Sequence, residues 1–295
     1  MEMKRDVPDT SHTVLMGGER PVPAGMLSFI LSVTGHTTTL ILRRQRLIFA
    51  FIICLMPVVI PLVISASSDL QFGEDGMKMF MQLTKRVHIE VLAPLLALFL
   101  ATMLVGEDVE TQTIHYMLTR PIPRTAWVVG RFIGYMLIAA IILSLSLVLT
   151  FFACVTLPNF AIGMETLTEL ARFEFIGFLA LLAYGATTMM LGTISKRPII
   201  YGIVFLYGWQ RAASLVPGMV DFLTIVKYTT ALIPAEATAT QAVKTQEALL
   251  AFQKQVYLIG AGKAVVMLLL ITAGLLGITI AAVRIREYSG SRAIG

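Results

Sequence analysis

Six stretches of the chain are apolar over the length that a bilayer core requires, and polar segments separate them. A membrane-spanning helix needs about 20 consecutive apolar residues. The pattern therefore predicts an all-α integral membrane protein with six transmembrane helices. The fifth run is the weakest, because it reaches Trp209, Gln210 and Arg211 early, as if the helix met the membrane interface there and were then broken or re-entrant. The six runs lie at about residues 47–66, 87–105, 128–153, 173–194, 199–216 and 257–283.

The segments that flank these runs divide the chain further. Residues 26–46 are apolar at the front and end in an Arg-Arg-Gln-Arg cluster before the first run, which is typical of an interfacial helix on the inner leaflet. A plain basic flank of the first span explains the cluster equally well. Residues 1–25 carry charges, three prolines and no long apolar core, so we interpret them as a flexible cytoplasmic tail rather than a signal peptide. The membrane domain then covers residues 26–283, and residues 284–295 form a second cytoplasmic tail.

The longest connection between runs extends from Pro217 to Val256. It contains the stretch MVDFLTIVKYTTALIP and then apolar residues at helical spacing. We expect one re-entrant or interfacial segment and one amphipathic helix there. An ordinary cap that packs on the outer ends of the spans is the alternative.

Composition and charge agree with a membrane protein and orient it. Hydrophobic residues make up 57% of the chain and charged residues 14%, against roughly 25% charged in soluble domains. If the N-terminus is inside, every short inner connection is basic, whereas the outer loops also carry acidic residues. Both termini are therefore predicted to be cytoplasmic. Because the net charge of +5 lies at membrane edges and not on one face, nucleic acid is not an expected partner.

No catalytic or metal-binding set can be assembled from the sequence. The stretch from Gly260 to Val265 imitates a phosphate-binding loop, but Tyr257 occupies its first glycine position and Ala264 its hydroxyl position, so we expect no ATP hydrolysis by this chain. The four histidines have no second ligand at i+3 or i+4, so no metal site is predicted, and we expect them to be solvated. Cys54 and Cys154 lie at different predicted depths, which disfavours a disulfide.

Three ionisable residues fall inside or at the edge of predicted spans: Glu90, Glu174 and Lys263. Charges at such depth mark functional sites by default. All three, however, lie within about two turns of the predicted outer ends, where a lysine can snorkel and a glutamate can be hydrated. Two interpretations stay open, a structural ion pair or snorkelling on one side and a role in a substrate path on the other.

The most polar connection between two strongly apolar runs lies at residues 105–131, on the predicted cytoplasmic side. Its acidic residues Glu107, Asp108 and Glu110 are expected at the start of a short helix, where the dipole favours negative charge. Ile114, Met117 and Leu118 then share one face of that helix. Prolines disfavour helical geometry in the residue before them, so the helix is predicted to end at the corner Arg120-Pro-Ile-Pro-Arg124.

This segment resembles the membrane subunit of ABC-2 type transporters. The resemblance rests on the pattern E-T-x-T-I-x-Y-x-L-T-R-P-I-P-R followed by a glycine-containing entry to the next span. Gln112 departs from the glycine that the family usually has. The basic ending RIREYSG and the six-span layout are similar to the family at lower specificity. The matching positions are Glu110, Thr113, Met117, Leu118, Arg120, Pro121, Pro123 and Arg124.

The resemblance implies a dimeric permease in the inner (plasma) membrane that is bound to a separate cytoplasmic ATPase driving export. ATP and magnesium would belong to that partner, and no cofactor is expected in this chain. We further hypothesise that residues 107–124 dock the ATPase, the alternative being a lipid-facing interfacial helix. A membrane-embedded enzyme and an assembly or structural protein remain rival functions, and the substrate is unassigned. The docking residues are Glu107, Glu110, Thr113, Ile114, Met117, Leu118, Arg120, Pro121, Pro123 and Arg124.

Overall fold

All regular structure in the described residues is helical. The structure is a computed structural model that describes residues 25–42, 45–66, 76–110, 123–158, 160–195, 197–215, 219–233 and 259–285, and within these ranges it contains no strand. This confirms the predicted all-α class. Of the predicted tails at residues 1–25 and 284–295, residues 1–24 and 286–295 lie outside the described residues, whereas residues 284 and 285 belong to the last helix. Most of the connection after residue 233 also lies outside the described residues.

Two of the helical runs change their geometry along their length. The first consists of α3 (Gly76–Leu83), a π-helical stretch that we call π1 (Thr84–Leu92) and α4 (Ala93–Glu110). The second consists of α7 (Pro198–Ile203), a stretch that we call π2 (Val204–Trp209) and α8 (Gln210–Leu215). The other elements are α1 (Met26–Leu42), α2 (Gln45–Ala66), α5 (Arg124–Cys154), α6 (Met164–Ile194), a 3₁₀ turn (Met219–Leu223), α9 (Ile225–Leu232) and α10 (Ala261–Ile285).

Four helices in the described part of the chain are long and apolar enough to cross a membrane. They coincide with the predicted first, third, fourth and sixth spans. The predicted second and fifth spans fall on the runs that contain π1 and π2, so neither is one uninterrupted α-helix. The count of six spans therefore stays a prediction. The four helices are Leu47–Ala66, Arg124–Cys154, Met164–Ile194 and Ala261–Ile285.

A proline accounts for the position of π1. Pro94 follows π1 by two residues and has no amide hydrogen for the carbonyl of Glu90, four residues earlier. Its ring would also clash with that carbonyl in an ideal α-helix. A wider π turn before the proline accommodates both effects, and such turns are frequent at functional sites. The fifth run also differs from expectation, because its helix continues through Arg211 to Leu215 and changes geometry before that residue.

Helix α6 lies at the centre of the bundle and packs against α4, α5, α9 and α10. Small residues on α6 allow the close approach: a Cβ atom at Gly185 would collide with the ring of Tyr135 on α5. The Tyr135 hydroxyl donates to the Leu181 carbonyl at 3.1 Å. On the α4 side, the Thr188 hydroxyl donates to the Ala97 carbonyl at 3.1 Å. Small residues and interhelical hydrogen bonds of this kind are what joins helices in lipid.

Helix α1 is attached to the start of α5 by a Gly-x-x-x-Gly spacing. A Cβ atom at Gly130 would lie 2.8 Å from Cβ of Val33, and one at Gly134 would lie 2.8 Å from Cβ of Thr37. The Thr34 hydroxyl donates to the Gly130 carbonyl at 3.1 Å. The two contacts advance in the same direction along both helices. The predicted interfacial segment is thus a helix in contact with the bundle, and its position on the inner leaflet stays a prediction.

The glycine contact generates a stability prediction. Gly134→Leu forces a side chain into space that Thr37 already occupies, and such overpacking typically costs about 1–3 kcal/mol. We expect a lower midpoint of thermal unfolding in lipid nanodiscs, measured as the loss of monodisperse protein on heating. Gly274→Leu on α10 is the matched control, because Gly274 is exposed and no atom lies within 4 Å of a Cβ built there. Equal midpoints for the two variants would contradict the proposed role of the contact.

Candidate functional site

The predicted docking segment is bracketed by the end of α4 and the start of α5. Pro123 and Arg124 have described side chains, whereas for Glu107 and Glu110 the backbone alone is described. The other six predicted docking residues lie outside the described residues: Thr113, Ile114, Met117, Leu118, Arg120 and Pro121.

The acidic cluster occupies a different helix end from the one that we expected. Glu107, Asp108 and Glu110 belong to the last turn of α4 and not to the start of a separate helix. The expectation failed because the apolar run before them continues as one helix into the acidic residues. Negative charge is disfavoured at a helix C-terminus, since the macrodipole is negative there. These residues therefore do not owe their position to a helix dipole.

Arg124 closes the C-terminal end of α10. Its Nη1 donates to the carbonyl of Arg284 at 2.8 Å and to that of Val283 at 3.4 Å. The last carbonyls of a helix have no partner within the helix, and a positive charge at that end also complements the dipole. Pro123, with φ of −59°, is the N-cap residue of α5 and precedes Arg124 in the chain. The last residue of the predicted docking segment is thus tied to α10.

Arg131 lies about two turns after Arg124 on α5 and joins α5 to α4. Its Nη1 donates to the Leu104 carbonyl, and its guanidinium lies 4.8 Å from the centre of the Trp127 ring. The side chain is only 3% exposed, so the charge is held inside the bundle. Arg131 was not among the predicted site residues. The available signal was a tryptophan four residues before an arginine on one helix, a spacing that places both on one face.

Together, the two arginines fix both stems of the docking segment. Arg131 ties the end of α4 to α5, and Arg124 ties the start of α5 to α10. A force applied to the segment is therefore shared by three helices.

A second polar cluster lies where π1 meets π2 and α8. The Glu90 carboxylate and the Arg211 guanidinium form an ion pair at 2.8 Å, and the Tyr207 hydroxyl donates to the Val91 carbonyl at 2.9 Å. Tyr184 on α6 donates to Oε1 of Gln210 at 3.4 Å. We call this set the π-helix cluster: Glu90, Val91, Tyr184, Tyr207, Gln210 and Arg211.

Charge and exposure are unevenly distributed in the π-helix cluster. The Arg211 side chain is 56% exposed, whereas that of Glu90 is 11% exposed and lies behind it. Gln210 is buried, and its Nε2 has no partner among the described residues. Lys85, five residues before Glu90 in π1, is also buried and interacts electrostatically with the Glu90 carboxylate. The cluster thus presents a cation outward and keeps its carboxylate inside.

The other two predicted intramembrane charges have separate surroundings. The Ser144 hydroxyl on α5 donates to Oε2 of Glu174 on α6 at 2.6 Å. Lys263 lies in the first turn of α10 and is exposed. The structure therefore does not assemble Glu90, Glu174 and Lys263 into one site. Glu90 alone belongs to a larger cluster, and its partner Arg211 was not among the predicted site residues although it interrupts the fifth apolar run.

His88 is buried, which corrects the expectation that the lone histidines are solvated. Its Nε2 lies 3.0 Å from Oγ of Ser146 and 3.4 Å from Oγ1 of Thr150. Ser146 donates its own hydrogen to the Cys54 carbonyl, and Thr150 donates to the Ser146 carbonyl. Both hydroxyls can therefore only accept from His88, so Nε2 carries the ring hydrogen in the neutral form. The sequence feature that could have indicated this contact is the pair Ser146 and Thr150, four residues apart in an apolar run. Two hydroxyls at that spacing can bind a polar side chain from another helix.

The described residues contain no group of three or more histidine, cysteine, aspartate or glutamate side chains that could hold a metal ion. Cys54 and Cys154 are both free and buried.

A protein-family model matches the chain, and no curated protein matches it. The matching family model is described as ABC-2 family transporter protein, and it covers residues 40–208. The match includes the docking segment, Glu90 and the second π-helical stretch up to Gly208. It covers more than half of the chain, and the helices long enough to cross a membrane agree with it. This multi-pass membrane protein therefore belongs to the ABC-2 family of transporter proteins, of which it is a permease.

Proposed function

We propose that the chain is the membrane subunit of an ATP-driven exporter in the plasma membrane, working as a dimer with a separate cytoplasmic ATPase. The family assignment supports this function, since ABC-2 permeases are transmembrane components that are not themselves catalytic. ATP and magnesium would be bound by the ATPase. In the proposed topology six spans cross the membrane, with the runs through π1 and π2 as the second and fifth, and both termini are cytoplasmic.

The ATPase docks on residues 107–124 in this proposal. The observation that carries this proposal is that both ends of the segment are held by neighbouring helices. Arg131 links α5 to α4 before the segment, and Arg124 links α5 to α10 at its other end. A docking site must transmit movement as well as bind, and a segment held by three helices can move them together. Apolar side chains at Ile114, Met117 and Leu118 would anchor the partner, each contributing about 1.5–3 kcal/mol when fully buried.

Two rival functions make different demands on the same chain. An enzyme needs a convergent set of reactive side chains, and the described residues offer the buried His88 group, whose hydrogen bonds are internal. An assembly protein would bind partners without changing the rate at which an ATPase hydrolyses ATP. Stimulation of ATP hydrolysis therefore separates the exporter from both rivals.

The docking proposal predicts the effect of charge in the apolar anchor. The chain is expressed with its ATPase, and Met117 and Leu118 are both replaced by Asp. We expect the ATPase to co-purify less and its hydrolysis in lipid to lose stimulation, because two buried apolar contacts are replaced by charges that must be desolvated. Membrane insertion should be unchanged.

The matched control replaces Met164 and Leu167 by Asp. These residues begin α6, are exposed, and lie on the outer side in the proposed topology. A complex that stays intact and fully stimulated with Asp at positions 117 and 118 would show that residues 107–124 are a lipid-facing spacer.

The contact between Arg124 and the end of α10 leads to a separate prediction for the Arg124→Gln variant. Arg124→Gln removes a charge-assisted contact with the end of α10, typically about 1.5–3 kcal/mol, without touching the apolar anchor. We expect the ATPase to bind with nearly unchanged affinity but to be stimulated less. Arg172→Gln, in an exposed ion pair with Glu169 at 3.1 Å, serves as the control. If Arg124→Gln weakens ATPase binding as strongly as the double Asp variant, Arg124 contacts the partner directly instead.

A further inference from the structure

We propose that the π-helix cluster binds the anionic group of an amphipathic molecule within the membrane. The inference rests on the proposed function, for which it names the chemical class of the substrate. The binding group would be a carboxylate or a phosphate on a hydrophobic body. It would be held by the Arg211 guanidinium and the Gln210 amide.

The proposed topology places this cluster in the outer part of the hydrocarbon region. Arg211 follows Pro198, the first residue of α7, by 13 positions. At about 1.5 Å per residue, Arg211 lies roughly 20 Å along the helix from that end, whereas the hydrocarbon core is about 30 Å thick. Charged residues at such depth almost always face a partner, a water-filled cavity or a substrate path.

The helical run that carries Arg211 also exposes apolar side chains. Val204 is 61% exposed and Trp209 is 43% exposed, and both offer contacts for a hydrophobic body. A ligand that combines an anionic head with an apolar chain matches an exposed guanidinium on a helical run that also exposes apolar side chains.

The unequal exposure of Arg211 and Glu90 indicates that the ligand carries a negative charge. An anion approaching from the surface meets Arg211 first, whereas a cation would have to pass it to reach Glu90, which is 11% exposed. Lys85 adds a second positive charge near the same carboxylate. The buried Nε2 of Gln210, the residue before Arg211 in the chain, has no acceptor among the described residues and is a further hydrogen-bond donor. Each of these features favours an acceptor with negative charge.

Binding would also act on the contact between the two helical runs. The ligand anion replaces the Glu90 carboxylate on Arg211, so the ion pair between π1 and α8 is exchanged for a ligand contact. The hydrogen bond from the Tyr207 hydroxyl to the Val91 carbonyl does not depend on this exchange. Glu90 is thus a competitor of the ligand, and its removal should strengthen binding.

The fluorescence of Trp209 reports on this site. The sequence contains two tryptophans, and Trp127→Phe leaves Trp209 as the only one while keeping a ring beside Arg131. The full chain is placed in phosphatidylcholine nanodiscs without its ATPase. Three brominated probes with the same 18-carbon chain are then titrated, one a carboxylate, one an amine and one an alcohol. Bromine quenches tryptophan fluorescence on contact.

We expect saturable quenching by the carboxylate and weak, non-saturating quenching by the amine and the alcohol. Arg211→Gln should weaken carboxylate binding about tenfold or more, as expected for the loss of a charge-assisted hydrogen bond. Arg211→Lys should retain part of it, and Glu90→Gln should tighten it. Arg172→Gln is the control, since its ion pair with Glu169 is exposed and on the outer part of α6.

Three results would overturn the proposal: equal quenching by all three probes, preference for the amine, or unchanged carboxylate binding in Arg211→Gln. Because Arg211→Lys and Glu90→Gln test the site independently, a folding defect in Arg211→Gln alone cannot produce the expected pattern. The measurement needs no ATPase. A negative result with intact ATPase stimulation therefore rejects the anion site and leaves the proposed function standing.

Discussion

Every carbonyl oxygen that a helix in lipid leaves without an internal partner must find a donor elsewhere in the protein, and this requirement organises the described structure. Water is absent from the hydrocarbon region, so an unpaired carbonyl costs several kcal/mol. Tyr207 donates to Val91 in the irregular geometry of π1, and Arg124 donates to the last carbonyls of α10. Arg131 donates to Leu104 near the end of α4. These three side chains donate to carbonyls where helices end or change geometry.

Two kinds of contact hold different parts of the bundle together. The central contacts of α6 with α4 and α5 rest on small residues such as Gly185 and on hydroxyl bonds within the core. Contacts of that kind are short and leave little freedom for the helices to slide. The run through π2 differs, because an ion pair and a hydroxyl bond link it to π1, and both groups can exchange partners. The structure thus combines a closely packed centre with polar contacts between the two π-helical stretches.

The sequence was sufficient for the all-α class and for four helices long enough to span, because runs of apolar residues have few other solutions in lipid. It also placed Glu90 among the candidate residues. It could not place the acidic residues at 107–110, since composition does not tell whether a helix continues past its last apolar residue. His88 was misjudged for a related reason: its partners Ser146 and Thr150 lie on another helix, and one sequence without tertiary contacts does not pair them. The π-helical stretches depend on Pro94 and on packing, so periodicity at 3.6 residues could not predict them.

Helix α4 connects the two polar regions and gives the proposed exporter a route for coupling them. Glu90 in π1 precedes Leu104 by 14 residues, which corresponds to about 20 Å of helix. At one end, Arg131 holds α4 beside the docking segment, and at the other end Glu90 holds the run through π2. Pro94 lies between them and weakens the backbone hydrogen bonding there. A displacement at the docking segment therefore reaches the ion pair through a stiff helix that bends most easily at one place. Replacement of Glu90 on Arg211 by a ligand anion would act on α4 from the opposite end. Ligand binding and ATPase docking would therefore both shift the position of α4.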